Sequence, residues 1–79
     1  MTNIEKLNAI FKEVFSVEID MLNDEFDNKS IEGWDSVRQL SLTTAVEDTF
    51  DIMFDPEDIL EFTSYCNAKS ILIKNGVKL

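Results

Sequence analysis

Residues 33–50, GWDSVRQLSLTTAVEDTF, decide the fold of this chain, because a loop ends and an amphipathic helix begins within them. The helix is predicted from about Ser36 to Phe50, and one of its faces carries the apolar residues Leu42, Ala45, Val46 and Phe50. Ser36 stands at the predicted helix start, where a serine oxygen commonly accepts hydrogen bonds from backbone N–H groups. On position alone, this capping role is the favoured interpretation of Ser36.

A second interpretation of Ser36 is that another protein modifies it. The chain contains no histidine, so no imidazole can take the hydroxyl proton, and a Ser-His-Asp nucleophile is excluded. A group attached to Ser36 would lie at the positive end of a helix dipole, which favours a phosphate. The residues around Ser36 therefore indicate a serine that is modified rather than one that catalyses.

The segments outside residues 33–50 predict three more helices. Together with the one above, the predicted helices lie near residues 3–15, 36–50, 56–61 and 64–75. The residues suited to cap the other three are Thr2 or Asn3, Asp55, and Thr63 or Ser64. The fold class is therefore all-α: a small four-helix bundle with three longer helices, one short helix and no sheet.

The segment from Val17 to Trp34 is mixed, acidic and rich in turn-forming residues. A connection of about 20 residues is long for a compact domain and is usually functional or packed on itself. Its apolar residues are suited to anchor it to the core: Val17, Ile19, Met21, Leu22, Phe26 and Ile31. We therefore predict a long ordered loop between the first two helices, with a short helical turn near Met21–Glu25.

Length and charge limit the classes of function. Seventy-nine residues make a single domain, residues 1–79. The formal net charge of −9 repels phosphate backbones and anionic lipids, so we predict no nucleic-acid or membrane partner. The same charge favours partners with a basic docking patch and keeps a monomer soluble. Neither a signal-peptide pattern nor a bilayer-long apolar stretch is present, so we expect a cytoplasmic protein.

Metal binding and thiol chemistry are not predicted. Cys66 is the single cysteine, so it forms no internal disulfide and builds no metal cluster, and we expect a semi-buried structural residue. The acidic run near the short helix lacks the spacing of an EF-hand loop. We predict a solvated acidic face, formed by Asp51, Asp55, Glu57, Asp58 and Glu61.

From Gly33 to Leu72 the chain resembles the acyl carrier protein family. The resemblance begins with Asp35-Ser36-Val37 at the start of the second helix, and it continues through Leu40, Leu42, Ala45, Val46, Glu47-Asp48-Thr49-Phe50, Ile52, Phe54, Asp55-Pro56 and Phe62-Thr63-Ser64-Tyr65. In that family the serine carries a 4′-phosphopantetheine arm derived from coenzyme A, whose thiol holds acyl or aminoacyl groups as thioesters. The resemblance implies that Ser36 is the attachment residue and Asp35 its usual neighbour, and it makes modification the favoured interpretation of Ser36.

The implied function is that of an acyl carrier protein, which is not itself an enzyme, in fatty-acid or polyketide biosynthesis. The implied partners are a phosphopantetheinyl transferase and acyl-loading, acyl-transfer or condensing enzymes with basic docking patches. Apolar residues suited to shelter the acyl group between helices are Val37, Leu40, Leu42, Val46 and Phe62. Two alternatives stay open: a peptidyl or aminoacyl carrier of similar fold, and an acidic helical adaptor without a prosthetic group.

The residues predicted to dock partners depart in part from the housekeeping fatty-acid pattern; they are Trp34, Val37, Arg38, Glu47 and Asp48. Arg38 stands where that pattern is acidic, and a cation there either selects partners or is simply solvated. Trp34 is interpreted either as a loop anchor that covers the helix start or as an exposed contact for a partner enzyme. These departures leave the attachment chemistry intact and change the expected set of partners.

Overall fold

The computed structural model describes residues 2–79. Its four α-helices are α1 (Asn3–Phe15), α2 (Ser36–Phe50), α3 (Pro56–Glu61) and α4 (Tyr65–Lys74), and a 3₁₀ turn spans Ile19–Met21. No strand occurs among residues 2–79, where the only sheet-like pairing is an isolated antiparallel bridge between Asp27 and Ser64. The prediction of an all-α chain is confirmed, and each helix bound agrees with its predicted value to within one residue. Within the same residues, no helix is both long and apolar enough to span a bilayer.

Local side-chain caps explain where the helices begin and end. Thr2 and Glu5 form a reciprocal capping box at the start of α1, and Ser64 Oγ accepts a hydrogen bond from Asn67 N at 2.9 Å at the start of α4. Just after α4, Gly76 adopts φ of 90°, a left-handed conformation that glycine accommodates without a steric penalty. These signals act within one turn of the chain, which is why the sequence predicts them.

An aromatic cluster connects α1 to the loop and to α4. The ring of Phe11 lies 5.3 Å from that of Tyr65, 5.8 Å from that of Phe26 and 6.1 Å from that of Trp34. Edge-on pairs at these separations add to the stabilisation that burial provides. Phe26 and Trp34 therefore anchor the chain between α1 and α2 to the core.

The other residues predicted to anchor the loop differ in how deeply they are buried. Val17, Leu22 and Ile31 are partly buried and pack against the core. Ile19 and Met21 lie in the 3₁₀ turn and are about half exposed, so the prediction that they anchor the loop is wrong. The predicted helical turn near Met21–Glu25 shares only Met21 with the 3₁₀ turn at Ile19–Met21; Asp24 and Glu25 form a separate turn, in which Phe26 N donates a hydrogen bond to the Asn23 backbone oxygen at 3.0 Å.

Two further sequence predictions are wrong. Asp58 does not belong to a solvated acidic face, because its side chain is only 2% exposed and its Oδ1 accepts a hydrogen bond from Lys74 Nζ at 2.8 Å. Cys66 is exposed rather than semi-buried, because the second position of α4 faces away from the core. The neighbouring Ala68, Ile71 and Leu72 occupy the buried face of this helix instead.

Candidate functional site

Ser36 is the first residue of α2, and Asp35 is the residue that caps this helix. Asp35 Oδ1 accepts a hydrogen bond from Arg38 N at 2.8 Å. The interpretation of Ser36 as the N-cap is therefore wrong, because the carboxylate one residue earlier takes that role. Ser36 is exposed, and no other group in the described part of the chain hydrogen-bonds its hydroxyl. The sequence thus places a free, accessible hydroxyl at the positive end of the α2 dipole.

A shallow, open cleft of about 490 Å³ lies beside Ser36, between α2 and α3. Half of its lining residues are aliphatic: Ser36, Gln39, Leu40, Ile59, Leu60 and Thr63. Leu40 is 64% exposed and Leu60 is 76% exposed. Apolar side chains this exposed beside the Ser36 hydroxyl provide a surface for contact with an apolar group.

The residues predicted to shelter an acyl group are not brought together in this cleft. Leu40 lines the cleft, whereas Val37 is largely exposed and is not part of its lining. Leu42, Val46 and Phe62 are completely buried in the core and do not line this cleft, so their contact with an acyl group stays a prediction. Leu42 and Val46 lie one turn apart on the face of α2 that packs into the core.

The predicted docking residues also separate into different environments. Trp34 is only 7% exposed, and its ring lies 4.7 Å from that of Phe15. The loop-anchor interpretation therefore describes Trp34, and the prediction of an exposed partner contact is wrong. Glu47 is half-buried, and its Oε2 accepts a hydrogen bond from Phe54 N at 3.0 Å, which ties α2 to the segment after it. Val37 and Asp48 are exposed on α2.

The side chain of Arg38 is exposed, but it hydrogen-bonds to another helix. Its guanidinium Nη1 donates a hydrogen bond to the backbone oxygen of Val14, in the last turn of α1. The side chain also passes over Gly33, where an added Cβ would lie 3.7 Å from Arg38 Nε. A cation at the carboxyl end of a helix complements its dipole. Arg38 therefore connects the start of α2 to the end of α1.

Sequence reasoning missed Gln39, which the structure places at the centre of the site. Gln39 Oε1 accepts a hydrogen bond from Trp34 Nε1 at 3.2 Å, and Gln39 Nε2 donates one to the Ile59 backbone oxygen at 2.7 Å. The sequence feature that could have indicated Gln39 is an amide side chain one turn after Asp35. Gln39 is half-buried, and a half-buried amide requires hydrogen-bond partners. Its two partners were not predictable from spacing.

The acidic side chains of the described residues do not form a metal-binding cluster. Across residues 2–79, no three side chains of the types His, Cys, Asp and Glu are grouped so that they could hold a metal ion. Asp27 is the acidic residue of the loop whose pKa is lowered, chiefly because its carboxylate accepts a hydrogen bond from the Ser30 backbone N–H at 2.8 Å. That interaction organises a turn in the loop.

Comparison with known proteins gives one match. No curated protein and no solved structure matches the chain significantly. The family model described as "Phosphopantetheine attachment site" matches residues 5–65, which is well over half of the chain and includes α2, α3 and nearly all of α1. Members of this family are the sites at which 4′-phosphopantetheine is covalently attached, and they generally act as carriers rather than catalysts. The chain therefore belongs to the phosphopantetheine attachment site family.

Proposed function

We propose that this chain is an acyl carrier protein that holds acyl groups on a 4′-phosphopantetheine arm attached to Ser36 and presents them to partner enzymes. The observation that carries the proposal is the free Ser36 hydroxyl at the start of α2. Asp35 caps the helix in its place, so modification of Ser36 removes no hydrogen bond that the fold uses. We retain the predicted four-helix bundle with a long loop as part of this proposal.

The surroundings of Ser36 suit the attached group. A phosphodiester on Ser36 would lie at the positive end of the α2 dipole. The Asp35 carboxylate beside it is held by Arg38 N, so it is oriented towards the backbone of α2. When bound, the arm supplies a thiol that takes acyl groups as thioesters. Because the chain has no histidine, the transferase must supply the base that activates Ser36.

The chain's own residues give the carried group a place of weak contact. Leu40, Ile59 and Leu60 present aliphatic surface in the open cleft beside Ser36. An open cleft buries an apolar group only in part, so the binding free energy it provides is small. Weak contact suits a carrier, because the partner enzyme must remove the acyl group. Tethering raises the local concentration of substrate at each enzyme in turn.

The partners proposed are a phosphopantetheinyl transferase and acyl-loading, acyl-transfer or condensing enzymes, in the cytoplasm, with the carrier as a monomer. Val37 and Asp48 are exposed on α2 and available for docking. The first turn of α2 carries Arg38 and no acidic residue. A cation there repels a basic docking patch, which discriminates against enzymes that use acidic carriers.

Intact mass spectrometry tests attachment at Ser36. After incubation with coenzyme A and a broad-specificity phosphopantetheinyl transferase, we expect the wild type to gain the mass of one phosphopantetheine group. Ser36→Ala should gain none, whereas Ser41→Ala, which removes an exposed serine of the same helix, should gain it fully. Cys66 is exposed, so a reductant and Cys66→Ser exclude a mixed disulfide with coenzyme A.

Two outcomes of this experiment contradict the proposal. A gain that persists in Ser36→Ala places the arm elsewhere. No gain with several transferases favours the acidic adaptor without a prosthetic group. If the wild type is modified, incubation with acyl-activating and amino-acid-activating enzymes distinguishes an acyl carrier from a peptidyl or aminoacyl carrier by the mass of the group that is loaded.

A further inference from the structure

We propose that Gln39 is a positioning residue, whose side-chain amide fixes the Ser36 end of α2 to α3 and thereby sets the geometry of the cleft beside Ser36. The proposal deepens the proposed function, because it concerns how the attachment site is presented to enzymes. Its structural part, the coupling of the Ser36 junction to α3, does not depend on the attached group.

The first half of the coupling is the hydrogen bond from Trp34 Nε1 to Gln39 Oε1, at 3.2 Å. The two residues flank Asp35 and Ser36, so the bond closes the loop-to-helix junction around the proposed attachment site. The indole is buried, and a buried N–H donor without a partner is costly. Because the same indole packs on Phe15, the junction is connected to α1.

The second half is the hydrogen bond from Gln39 Nε2 to the Ile59 backbone oxygen, at 2.7 Å. Ile59 lies in the last turn of α3, where backbone oxygens lack partners further along the helix. The other donor to this oxygen is Phe62 N, at 3.3 Å. Gln39 thus supplies the shorter of the two hydrogen bonds to the Ile59 oxygen.

The short helix α3 depends on such links. Six residues are too few for a helix to be stable by itself in water. Polar side-chain links join it to two other helices: Gln39 to Ile59 joins it to α2, while Asp58 to Lys74 at 2.8 Å and Asn67 to the Glu61 backbone oxygen at 3.1 Å join it to α4. The link through Gln39 is the one that faces Ser36, because Gln39 itself lines the cleft.

Glutamine is specifically suited to this position. The indole N–H can only donate and the Ile59 oxygen can only accept, so the bridging group needs one acceptor and one donor. Glutamate keeps the acceptor for Trp34 but places a carboxylate against the Ile59 oxygen, and leucine offers neither group. Gln39→Glu therefore breaks only the hydrogen bond to the Ile59 oxygen, whereas Gln39→Leu breaks this hydrogen bond and the one from Trp34.

The chain's single tryptophan gives a direct structural readout. We expect the indole N–H to exchange slowly with solvent, by NMR, in the wild type and in Gln39→Glu, and rapidly in Gln39→Leu. The backbone amide signals of Leu60 and Phe62 should move in both variants, because both lose the donor to Ile59. Thr44→Ala, a substitution at an exposed position of the same helix, serves as the matched control and should leave all these signals unchanged.

The functional test is to measure KM and kcat separately for modification by the phosphopantetheinyl transferase. We expect both Gln39 variants to raise KM roughly two- to tenfold, the range that corresponds to one hydrogen bond, with little change in kcat, since the transferase supplies the chemistry. Trp34→Phe keeps an aromatic ring and removes only the N–H donor. It should increase KM less than Gln39→Leu does.

Two results overturn the proposal. One is an unchanged KM in both Gln39 variants while their NMR signals change, which would make the link merely structural. The other is an unperturbed α3 in Gln39→Glu. If Gln39→Leu does not fold, Gln39→Glu and Trp34→Phe still decide both points. If the wild type is not modified at all, the proposed function fails, and the NMR comparison alone decides whether Gln39 couples α3 to the Ser36 junction.

Discussion

Asp58 is buried although Glu57 before it is exposed, because Lys74 of α4 and Asn75 at the end of that helix hydrogen-bond its carboxylate. Lys74 Nζ lies 2.8 Å from Asp58 Oδ1, and Asn75 Nδ2 lies 3.5 Å from Asp58 Oδ2. The hydrogen bond from Lys74 lowers the pKa of Asp58 below its ordinary value of 3.8. The same contact raises the pKa of Lys74 above its ordinary value of 10.5. The pair therefore joins α3 to α4 over a wide range of pH.

Asp58→Asn should lower the melting temperature, and the loss should depend on pH with a definite sign. A lowered carboxyl pKa contributes stability above pH 3.8, which is lost as the pH falls through the lower pKa of the folded state. The raised lysine pKa contributes stability below pH 10.5, which is lost as the pH rises through the higher pKa of the folded state. The difference between wild type and variant should therefore be greatest between about pH 5 and pH 9.

Thermal unfolding followed by circular dichroism measures this difference across pH. Glu57→Gln, an exposed acidic residue on the same helix, is the matched control, because it makes the same change in net charge. A difference between wild type and Asp58→Asn that stays constant down to pH 3 would show that the ion pair contributes nothing and that the loss comes from packing.

Among the elements, the helices were predictable because their signals are local. Thr2 at the start of α1, Ser64 at the start of α4 and Gly76 after it act within one turn of the chain. The choice between Asp35 and Ser36 as the cap of α2 was not predictable, since both residue types cap well. In the loop, burial does not follow a period, so packing against the rest of the molecule decides that Phe26 is inside and Met21 outside.

The site was predictable only in part for the same reason. The exposed Ser36 follows from its place at a helix start, which is a local feature. Gln39 bonds to Ile59 and Asp58 bonds to Lys74, pairs that are 20 and 16 residues apart in the chain. Such contacts depend on how the helices pack, and hydrophobic spacing along one helix does not reveal a polar partner on another.

Arg38 illustrates how one side chain links two elements, and its replacement should weaken that link. Arg38→Asp removes the hydrogen bond to the Val14 oxygen and the cation at the negative end of the α1 dipole. We expect a loss of about 0.5–1 kcal/mol in the free energy of unfolding, typical of charges at helix ends. Urea denaturation at low salt measures it.

A matched control separates this local effect from net charge. Lys29→Asp makes the same change in net charge at an exposed loop position outside the helices. If the two variants lose equal stability, the contact between Arg38 and Val14 is not significant. Arg38→Gln should lie between the wild type and Arg38→Asp, because an amide still donates to the Val14 oxygen but carries no charge.

For the whole molecule, charge and size together determine how electrostatic repulsion acts. Sixteen carboxylates and seven cationic side chains occupy a molecule that measures 29 × 28 × 19 Å. The Debye length is about 30 Å at 0.01 M salt and about 8 Å at 0.15 M. At low salt every pair of surface charges therefore interacts across the molecule, and at physiological salt only near neighbours do.

Added salt should consequently stabilise the fold at neutral pH, because screening relieves a repulsion that the expanded unfolded chain experiences less. We expect the melting temperature to rise between 0.01 and 0.15 M sodium chloride, by roughly 4–8 °C for each 1 kcal/mol of repulsion removed.

Mg²⁺ and Ca²⁺ at equal ionic strength should act alike and without saturation, since residues 2–79 contain no cluster of three potential ligands. A charge-reduced variant, Asp24→Asn with Glu57→Gln, should respond less to salt, because both residues are exposed and neither is used in the contacts described above. A melting temperature that does not change with ionic strength would show that the repulsion is too weak to affect folding. Saturation by Ca²⁺ at low concentration would instead reveal a specific site, and screening would then not be the cause.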